Sequence, residues 1–377
     1  MSSRSRRVAV ACLLLAVAAW IYIAKAAARM PDFQVYWRAG ARAAAAEPLY
    51  RPDDAPYEFK YFPAFAVLAT PFGALPLHLA KPVWFALSTA SLLILLRLTV
   101  RLLPHRRKST AILITGLLVG LGKYYAEDLV LGQVNTLVAL VAACALLALT
   151  AGREAIGGGL IALAVVLKPY MLILVPWLAA RRKLPSIAAV AAGLAVAGAL
   201  PVFLYGIEGT LILHRDWWRT VSASTQGTLL DTRNISIASM WAKWLGIGPA
   251  AAAVAVATSL ALLLTAAVVF LRRRGVEHPD ALEAGLLLAM TPIISPQGWD
   301  YVLVLTTFAL IVVVNDLDRL PRLMRPLAVV SIAAMGLTLY DLLGRRLFYI
   351  ALDLGVITIG TMTLIASAAV LRIRKAA

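Results

Sequence analysis

The residues of this chain that could do chemistry stand at the edges of hydrophobic runs. Asp32 lies just past the first such run, at the head of the polar stretch Met30–Pro63. Glu127 and Asp128 close another run and are followed by Gln133 and Asn135. Lys168 interrupts an apolar stretch directly before Pro169. Arg233, Asn234 and Ser236 sit in a polar loop, and Ser295-Pro-Gln-Gly-Trp299-Asp300-Tyr301 follows a further apolar segment. Carboxylates, cations and amides of this kind move protons and hold anions or hydroxyls. Each also has a plainer role. Asp32 suits the N-cap of a helix running from Phe33, and Glu127-Asp128 would serve to end a span. Lys168 could snorkel toward headgroups, and Trp299 and Tyr301 suit an interfacial aromatic belt. His214-Arg215-Asp216-Trp217-Trp218 reads as an amphipathic segment on lipid headgroups, or as a contact to a lipid phosphate.

The elements that must position these groups are membrane helices. Of 377 residues, 62% are hydrophobic and the mean hydropathy is +0.84, well above the apolar share of a soluble domain. The runs are continuous and not alternating, which argues against a β-barrel. A spanning backbone must close its hydrogen bonds within each segment, so an all-α polytopic fold is expected. No P-loop, GxGxxG, HExxH or CxxC pattern occurs, and both cysteines, Cys12 and Cys144, lie inside apolar runs. Spans are expected at 8–24, 82–103, 109–126, 130–150, 156–168, 170–181, 185–206, 249–271, 281–295, 299–315, 325–342 and 347–371, about twelve in all. The prolines of Phe62–Pro76 mark that stretch as a short interfacial or re-entrant helix. Gly116-x-x-x-Gly120 and Gly157-Gly158-Gly159 read as close helix contacts. The whole chain, 1–377, reads as a single integral membrane domain, with large outer loops at about 25–81 and 207–248.

The net charge of +17 then has a topological meaning. With both termini inside, the basic clusters at the N-terminus, Arg97–Lys108, Arg181–Lys183, Arg272–Arg274, Arg319–Arg325 and Arg372–Lys375 all face the cytoplasm, while the outer loops are nearly neutral. The charge follows the positive-inside rule and is not a nucleic-acid footprint. In this orientation the polar groups singled out above all fall on the extracytoplasmic side, as one shared pocket requires. Asp316-Leu317-Asp318 has the spelling of a metal-binding D-x-D but falls in a cytoplasmic loop among arginines, where a solvated loop is the better reading.

Asp32-Phe-Gln-Val-Tyr36, Pro48-Leu-Tyr50, Phe59-Lys-Tyr-Phe-Pro63 and Thr70-Pro-Phe-Gly-Ala-Leu-Pro76 resemble the opening of glycosyltransferase family 87, membrane enzymes of the C-type glycosyltransferase fold. Gly132-Gln-Val-Asn135, Leu167-Lys-Pro-Tyr170, Asn234-Ile-Ser236 and Ser295-Pro296 continue the likeness in order. It spans most of the chain from Asp32 to about Leu305. Two departures are visible: Asp300-Tyr301 follows Trp299 where some members carry histidine, and the double proline of the first loop is reduced to Pro63.

The resemblance implies a polyprenol-phosphate sugar donor, usually mannosyl, and a lipid or glycan acceptor at the outer face of the cell membrane. It implies Asp32 as the base. Lys168 and Arg233, with His214 and Arg215 behind them, are then candidates to hold the donor phosphate. Tyr36, Glu127, Asp128, Gln133, Asn135, Asn234, Ser295, Trp299, Asp300 and Tyr301 would line the substrates. The leaving group is already a phosphate monoester, so neither a cofactor nor a divalent metal is required. The rival class is a polytopic transporter or lipid flippase, which would place its site near the midplane between related halves.

Overall fold

A computed structural model describes residues 16–17, 19–103, 105–223, 228–272 and 279–374. Most of the expected first span therefore lies outside the described residues; its described end is a π-helical stretch, Tyr22–Ala26. Met30 caps the next helix in the left-handed conformation (φ 55°), and Pro31 opens α1, Pro31–Ala44. Proline suits that position because its φ is already helical and its missing N–H would have no partner. Phe62–Pro76, expected to be interfacial or re-entrant, folds as α2 (Pro63–Leu68) and α3 (Thr70–Gly73). At 1.5 Å per residue neither can cross a membrane.

The apolar runs that follow are helical throughout: α4 (Leu77–Arg101), α5 (Thr110–Leu131), α6 (Asn135–Thr150), α7 (Glu154–Leu167), α8 (Leu174–Ala180), α9 (Leu184–Ala199), α10 (Val202–Ala223), α11 (Ile237–Leu245), α12 (Pro249–Leu271), α13 (Pro279–Ile294), α14 (Thr307–Asn315), α15 (Met324–Leu337), α16 (Tyr340–Asp353) and α17 (Val356–Arg374). Short 3₁₀ stretches, Pro169–Ile173 and Asp300–Thr306, lead into α8 and α14. Strand character among the described residues is confined to an isolated antiparallel bridge between Asn234 and Trp299.

By length and composition, 3 described helices can cross a membrane, α4, α12 and α17, and up to 6 if each bent pair counts as one span. The expected number of spans exceeds this, because α7, α8, α13 and α14 are each shorter than a full crossing and α5 and α6 count once as a bent pair. The bent pairs are α5–α6 at 116°, α9–α10 at 92° and α15–α16 at 105°. In the last two a uniformly apolar helix turns a right angle into an amphipathic one, the form of a span followed by an interfacial helix.

The centre of the bundle is α13, in which every residue from Asp280 to Ile293 is buried. At the periphery, α12 buries little beyond Ala251, Ala255, Ala266 and Val269 and exposes Leu260, Leu264 and Leu271. A helix that is apolar all round yet exposed is stable against lipid, not water. The bundle thus has two poles, and the 16 residues of α13 set them about 24 Å apart. At one pole Glu283, fully buried, holds Arg181 (2.8 Å) and Arg372 (3.1 Å) and accepts from Trp177 Nε1 (3.0 Å). Near it Lys183 pairs with Asp280 at 3.0 Å, and Asp318 pairs with Arg107 and Lys108. The solvated-loop reading of Asp316-Leu317-Asp318 therefore holds only in part. Asp318 is exposed and engaged by cations, whereas Asp316 is buried beneath α14.

Candidate active site

The other pole begins where α1 meets the turn between α5 and α6. Gly132 ends α5 with φ +72°, and a Cβ there would lie 2.6 Å from the Cβ of Phe33. Only glycine satisfies both the left-handed backbone and this approach. Phe33 stacks on Trp84 at 5.2 Å, and Trp84 Nε1 donates to the Gly132 carbonyl at 2.9 Å. This wedge brings Asp32, one residue before Phe33, against Gln133, one residue after Gly132.

Asp32 is not an N-cap. Met30 holds that position, and Asp32 lies in the first turn of α1, where the helix dipole favours negative charge. Burial raises its pKa above the usual carboxylate value, opposed by Lys168, a hydrogen bond from Gln133, and Arg233. Lys168 is placed by the break foreseen from Lys168-Pro169. Proline bars the helical conformation to the residue before it, so Lys168 is extended (φ −148°, ψ 108°) at the end of α7.

Between Lys168 and Asp32 runs a directed hydrogen-bond chain. Lys168 Nζ donates to the Tyr61 hydroxyl (3.0 Å) and lies over the Tyr61 ring, 4.6 Å from its centroid. Tyr61 meets the Tyr36 hydroxyl at 2.7 Å, and Tyr36 donates to Gln133 Oε1 at 3.1 Å. With its oxygen accepting, Gln133 turns its amide N–H toward Asp32. Such chains polarise in one sense and fix every member's orientation.

Asp128, Asn135 and Asn234, expected to line the substrates, have their polar atoms engaged inside the protein. Asp128 is fully buried and accepts from Asn135 Nδ2 (2.9 Å), Thr136 N (3.1 Å) and Thr136 Oγ1 (2.6 Å). Asn135 Oδ1 accepts from Tyr170 at 2.8 Å. These contacts tie the α5–α6 turn together from beneath and hold Gln133 in place. Asn234 Nδ2 donates to Pro296 O (2.8 Å) and Thr228 O (3.0 Å), while its Oδ1 accepts from Ser236 N (2.9 Å). Ser236 caps α11 by accepting from Ser239 N at 3.0 Å. Ile235 N reaches Gly298 O at 2.7 Å. The Asn234-Ile-Ser236 segment is thus a clasp on the loop 295–301. Ser295 ends α13 with its amide on the Thr291 carbonyl.

The clasp sets Arg233 opposite Asp300 at 2.9 Å, and Arg233 also pairs with Glu127 of α5. The Tyr301 ring lies 5.9 Å from its guanidinium carbon and stacks parallel to Trp299. Tyr301 is also within electrostatic reach of Asp32 and Tyr61. Of the expected phosphate ligands, then, Lys168 stands beside the carboxylate, while Arg233 already carries two acidic partners. His214 and Arg215 lie apart on α10. His214 Nε2 is 2.9 Å from the Gly198 carbonyl and its ring packs on Phe62; Arg215 pairs with Asp216.

Tyr61, Tyr170, Thr136 and Lys123 were missed as site residues. Tyr61 and Tyr170 lie within the segments that carry the family resemblance, which was their only signal. Lys123 is a lone cation in an apolar helix, donating to the Thr338 carbonyl at 2.6 Å. Among the described residues no group of three or more His, Cys, Asp or Glu is placed to hold a metal ion.

The family model for glycosyltransferase family 87 matches residues 59–296. The chain belongs to this family. Searches of curated proteins and of solved structures returned no match. Within the family match fall Tyr61, Glu127, Gln133, Lys168, Tyr170, Arg233, Asn234 and Ser295; Asp32, Tyr36 and Trp299–Tyr301 lie outside it and join the site through the contacts above. Membership of glycosyltransferase family 87 makes the protein a glycosyltransferase of the membrane and does not favour the transporter reading.

Proposed function

We propose that this protein transfers a hexosyl unit, mannosyl by family resemblance, from a polyprenol-phosphate sugar to a lipid or glycan acceptor at the extracytoplasmic membrane face. The observation that carries the reading is the juxtaposition of Asp32 and Lys168 at the ends of one hydrogen-bond chain. A sugar phosphate needs a base for the incoming hydroxyl on one side of the anomeric carbon and a cation for the departing phosphate on the other. Asp32 takes the proton as the acceptor oxygen bonds to the anomeric carbon. The bond from that carbon to the phosphate oxygen breaks with inversion, and the prenyl phosphate leaves with the electron pair. Lys168 stabilises that charge. Arg233, bridging Glu127 and Asp300, positions the 295–301 loop over the site and is a lesser candidate for the phosphate. Asp128, Asn135 and Asn234 act as positioning residues. The prenyl chain lies along the apolar helix surfaces, and no metal is needed for the leaving group.

Two features support the site lying outside the cell with both termini cytoplasmic. Among the described residues, Arg107, Lys108, Arg181, Lys183, Arg272 and Arg372 gather at the Glu283 pole, and the amphipathic helices α10 and α16 lie at the outer ends of α9 and α15 in that orientation.

The test uses the purified full chain in nanodiscs with short-chain polyprenyl phosphohexoses and a membrane lipid extract as acceptor. Asp32→Asn should abolish sugar transfer while the protein elutes and melts as the wild type does. Near-normal transfer by that variant would remove Asp32 as the base.

A further inference from the structure

At the pole that carries Asp32, α16 turns 105° from α15 and lies exposed along most of its length. Among its residues only Leu352 is buried. Leu347, Ile350 and Leu354, spaced i, i+3 and i+7, form one exposed apolar stripe. Beside the stripe stand Arg345 and Arg346, both exposed, and among the described residues neither enters an ion pair. We propose that α16 is a docking surface for anionic phospholipid, and that the docked lipid steadies the loop 295–301. This lipid does not react, so the inference stands apart from the donor and acceptor proposed above.

Three observations carry it. First, the charge of α16 has no account in the fold. Arg345 and Arg346 stand at the pole opposite the basic residues around Glu283, so the positive-inside bias does not explain them. Asp341, across the bend at Gly344 (φ 68°), offsets one of the two, and Asp353 lies within electrostatic reach of Lys243. The helix keeps an excess of positive charge. Guanidinium groups take phosphate oxygens as charge-assisted hydrogen-bond acceptors.

Second, the rest of this face fits lipid. Tyr340 and Tyr349 are half-exposed, and so is Trp244 at the end of α11, whose Nε1 donates to the Asp353 carbonyl at 3.1 Å. Tyrosine and tryptophan concentrate at headgroup depth. An amphipathic helix with arginines beside an apolar stripe binds in the plane of that layer, with acyl chains under the stripe and phosphates at the cations. A zwitterionic headgroup brings its own cation to the arginines, so the surface selects an anionic one.

Third, both ends of α16 are tied to the site. At its start Lys123 of α5 donates to the Thr338 carbonyl at 2.6 Å and lies within electrostatic reach of Asp300 and Glu127. At its end Gly355 (φ +68°) turns the chain into α17 so close to α11 that a Cβ there would lie 2.8 Å from Met240 Cγ. Thr358 Oγ1 then donates to the Ile235 carbonyl at 2.8 Å, and Ile235 N is the donor to Gly298. The clasp on the loop 295–301 is thus fastened to the two turns that bound α16. A lipid that fixes the helix restrains the loop through them.

The experiment uses the full chain in nanodiscs of dioleoyl phosphatidylcholine, alone or mixed with dioleoyl phosphatidic acid, which carries no sugar and no alcohol to receive one. Lipid retained by the protein after transfer to detergent is counted by native mass spectrometry, and hydrogen exchange is followed in peptides covering 235–245 and 295–301. The wild type should retain phosphatidic acid in preference to phosphatidylcholine, and both segments should exchange more slowly in its presence. Arg345→Ala with Arg346→Ala should weaken retention about tenfold, the scale of cations near an anionic surface, and lose the protection. Arg345→Lys with Arg346→Lys should keep both. Equal retention by the wild type and the alanine variant, or equal retention of the two lipids by the wild type, overturns the docking surface. Protection unchanged in the alanine variant overturns the link to the loop. The same protection by inorganic phosphate in pure phosphatidylcholine would make a free anion the ligand and overturns the lipid.

Discussion

At the scale of single residues, the site works by neighbours that oppose one another. Burial makes the Asp32 carboxyl a stronger base than a free aspartate, and Lys168, Gln133 and Arg233 restrain that shift. Transfer requires the ionised carboxylate, so kcat/KM should fall as pH drops through a pKa lying above the ordinary aspartate range. Lys168→Met removes the largest restraining influence and should move this acid limb to still higher pH, besides lowering kcat through the lost phosphate contact. A pH profile of kcat/KM for both proteins checks the sign. A limb unmoved, or moved to lower pH, would separate Lys168 from Asp32. Charge at this loop also serves structure. Arg42 pairs with Asp54 and holds that carboxyl below its usual value, which ties the loop 45–62 back onto α1.

At the scale of elements, two junctions decide whether the site forms. The first is the contact of α1 with the α5–α6 turn at Gly132. Gly132→Ala meets both the left-handed φ and the Phe33 Cβ, so α1 must shift and carry Asp32 with it. Displacements of about 1 Å cost on the order of 100-fold in rate. Steady-state kinetics should show that loss in kcat with the protein still membrane-inserted; unchanged kcat would show that α1 has another way to seat Asp32. The second junction is the buried triad at the far pole, where α8, α13 and α17 converge on Glu283. Glu283→Gln leaves Arg181 and Arg372 without their anion, and breaking a buried pair in this way costs about 3–5 kcal/mol. A lowered melting temperature in detergent is expected, together with unchanged donor KM in the protein that remains folded.

At the scale of the whole molecule, the question is which pole faces out. On a background with both cysteines replaced, Asp53→Cys in the exposed part of the first loop should react with a membrane-impermeant maleimide on intact cells. Arg322→Cys, beside the opposite pole, should react only after permeabilisation. The reverse pattern would place the site on the cytoplasmic side and exclude an outer-face acceptor.

Much of this arrangement is legible in the sequence. Uniform apolar runs must become helices in lipid, so the bounds expected at 249–271 match α12, and the stop at Lys168-Pro169 follows from proline sterics alone. Charge bias between loops supplies the argument for which pole faces the cytoplasm, because basic residues are costly to translocate, and the labelling experiment tests it. What the sequence could not decide is which polar residues face a substrate and which face the protein. Asp128 and Asn234 look as reactive as Asp32 when read along the chain, yet hydrogen bonds of the α5–α6 turn and the loop 295–301 occupy them. Asp32 itself reads as a helix cap along the chain, whereas in the fold Met30 caps α1 and Pro31 opens it. Lengths alone do not fix the number of spans either, since apolar composition marks a helix but not whether it crosses, bends or lies along the surface. Composition and periodicity act locally, through solvent transfer and backbone sterics. The pairing of Asp32 with Lys168 through Tyr36 and Tyr61 depends on contacts between segments more than 100 residues apart, and only the packed helices bring those together.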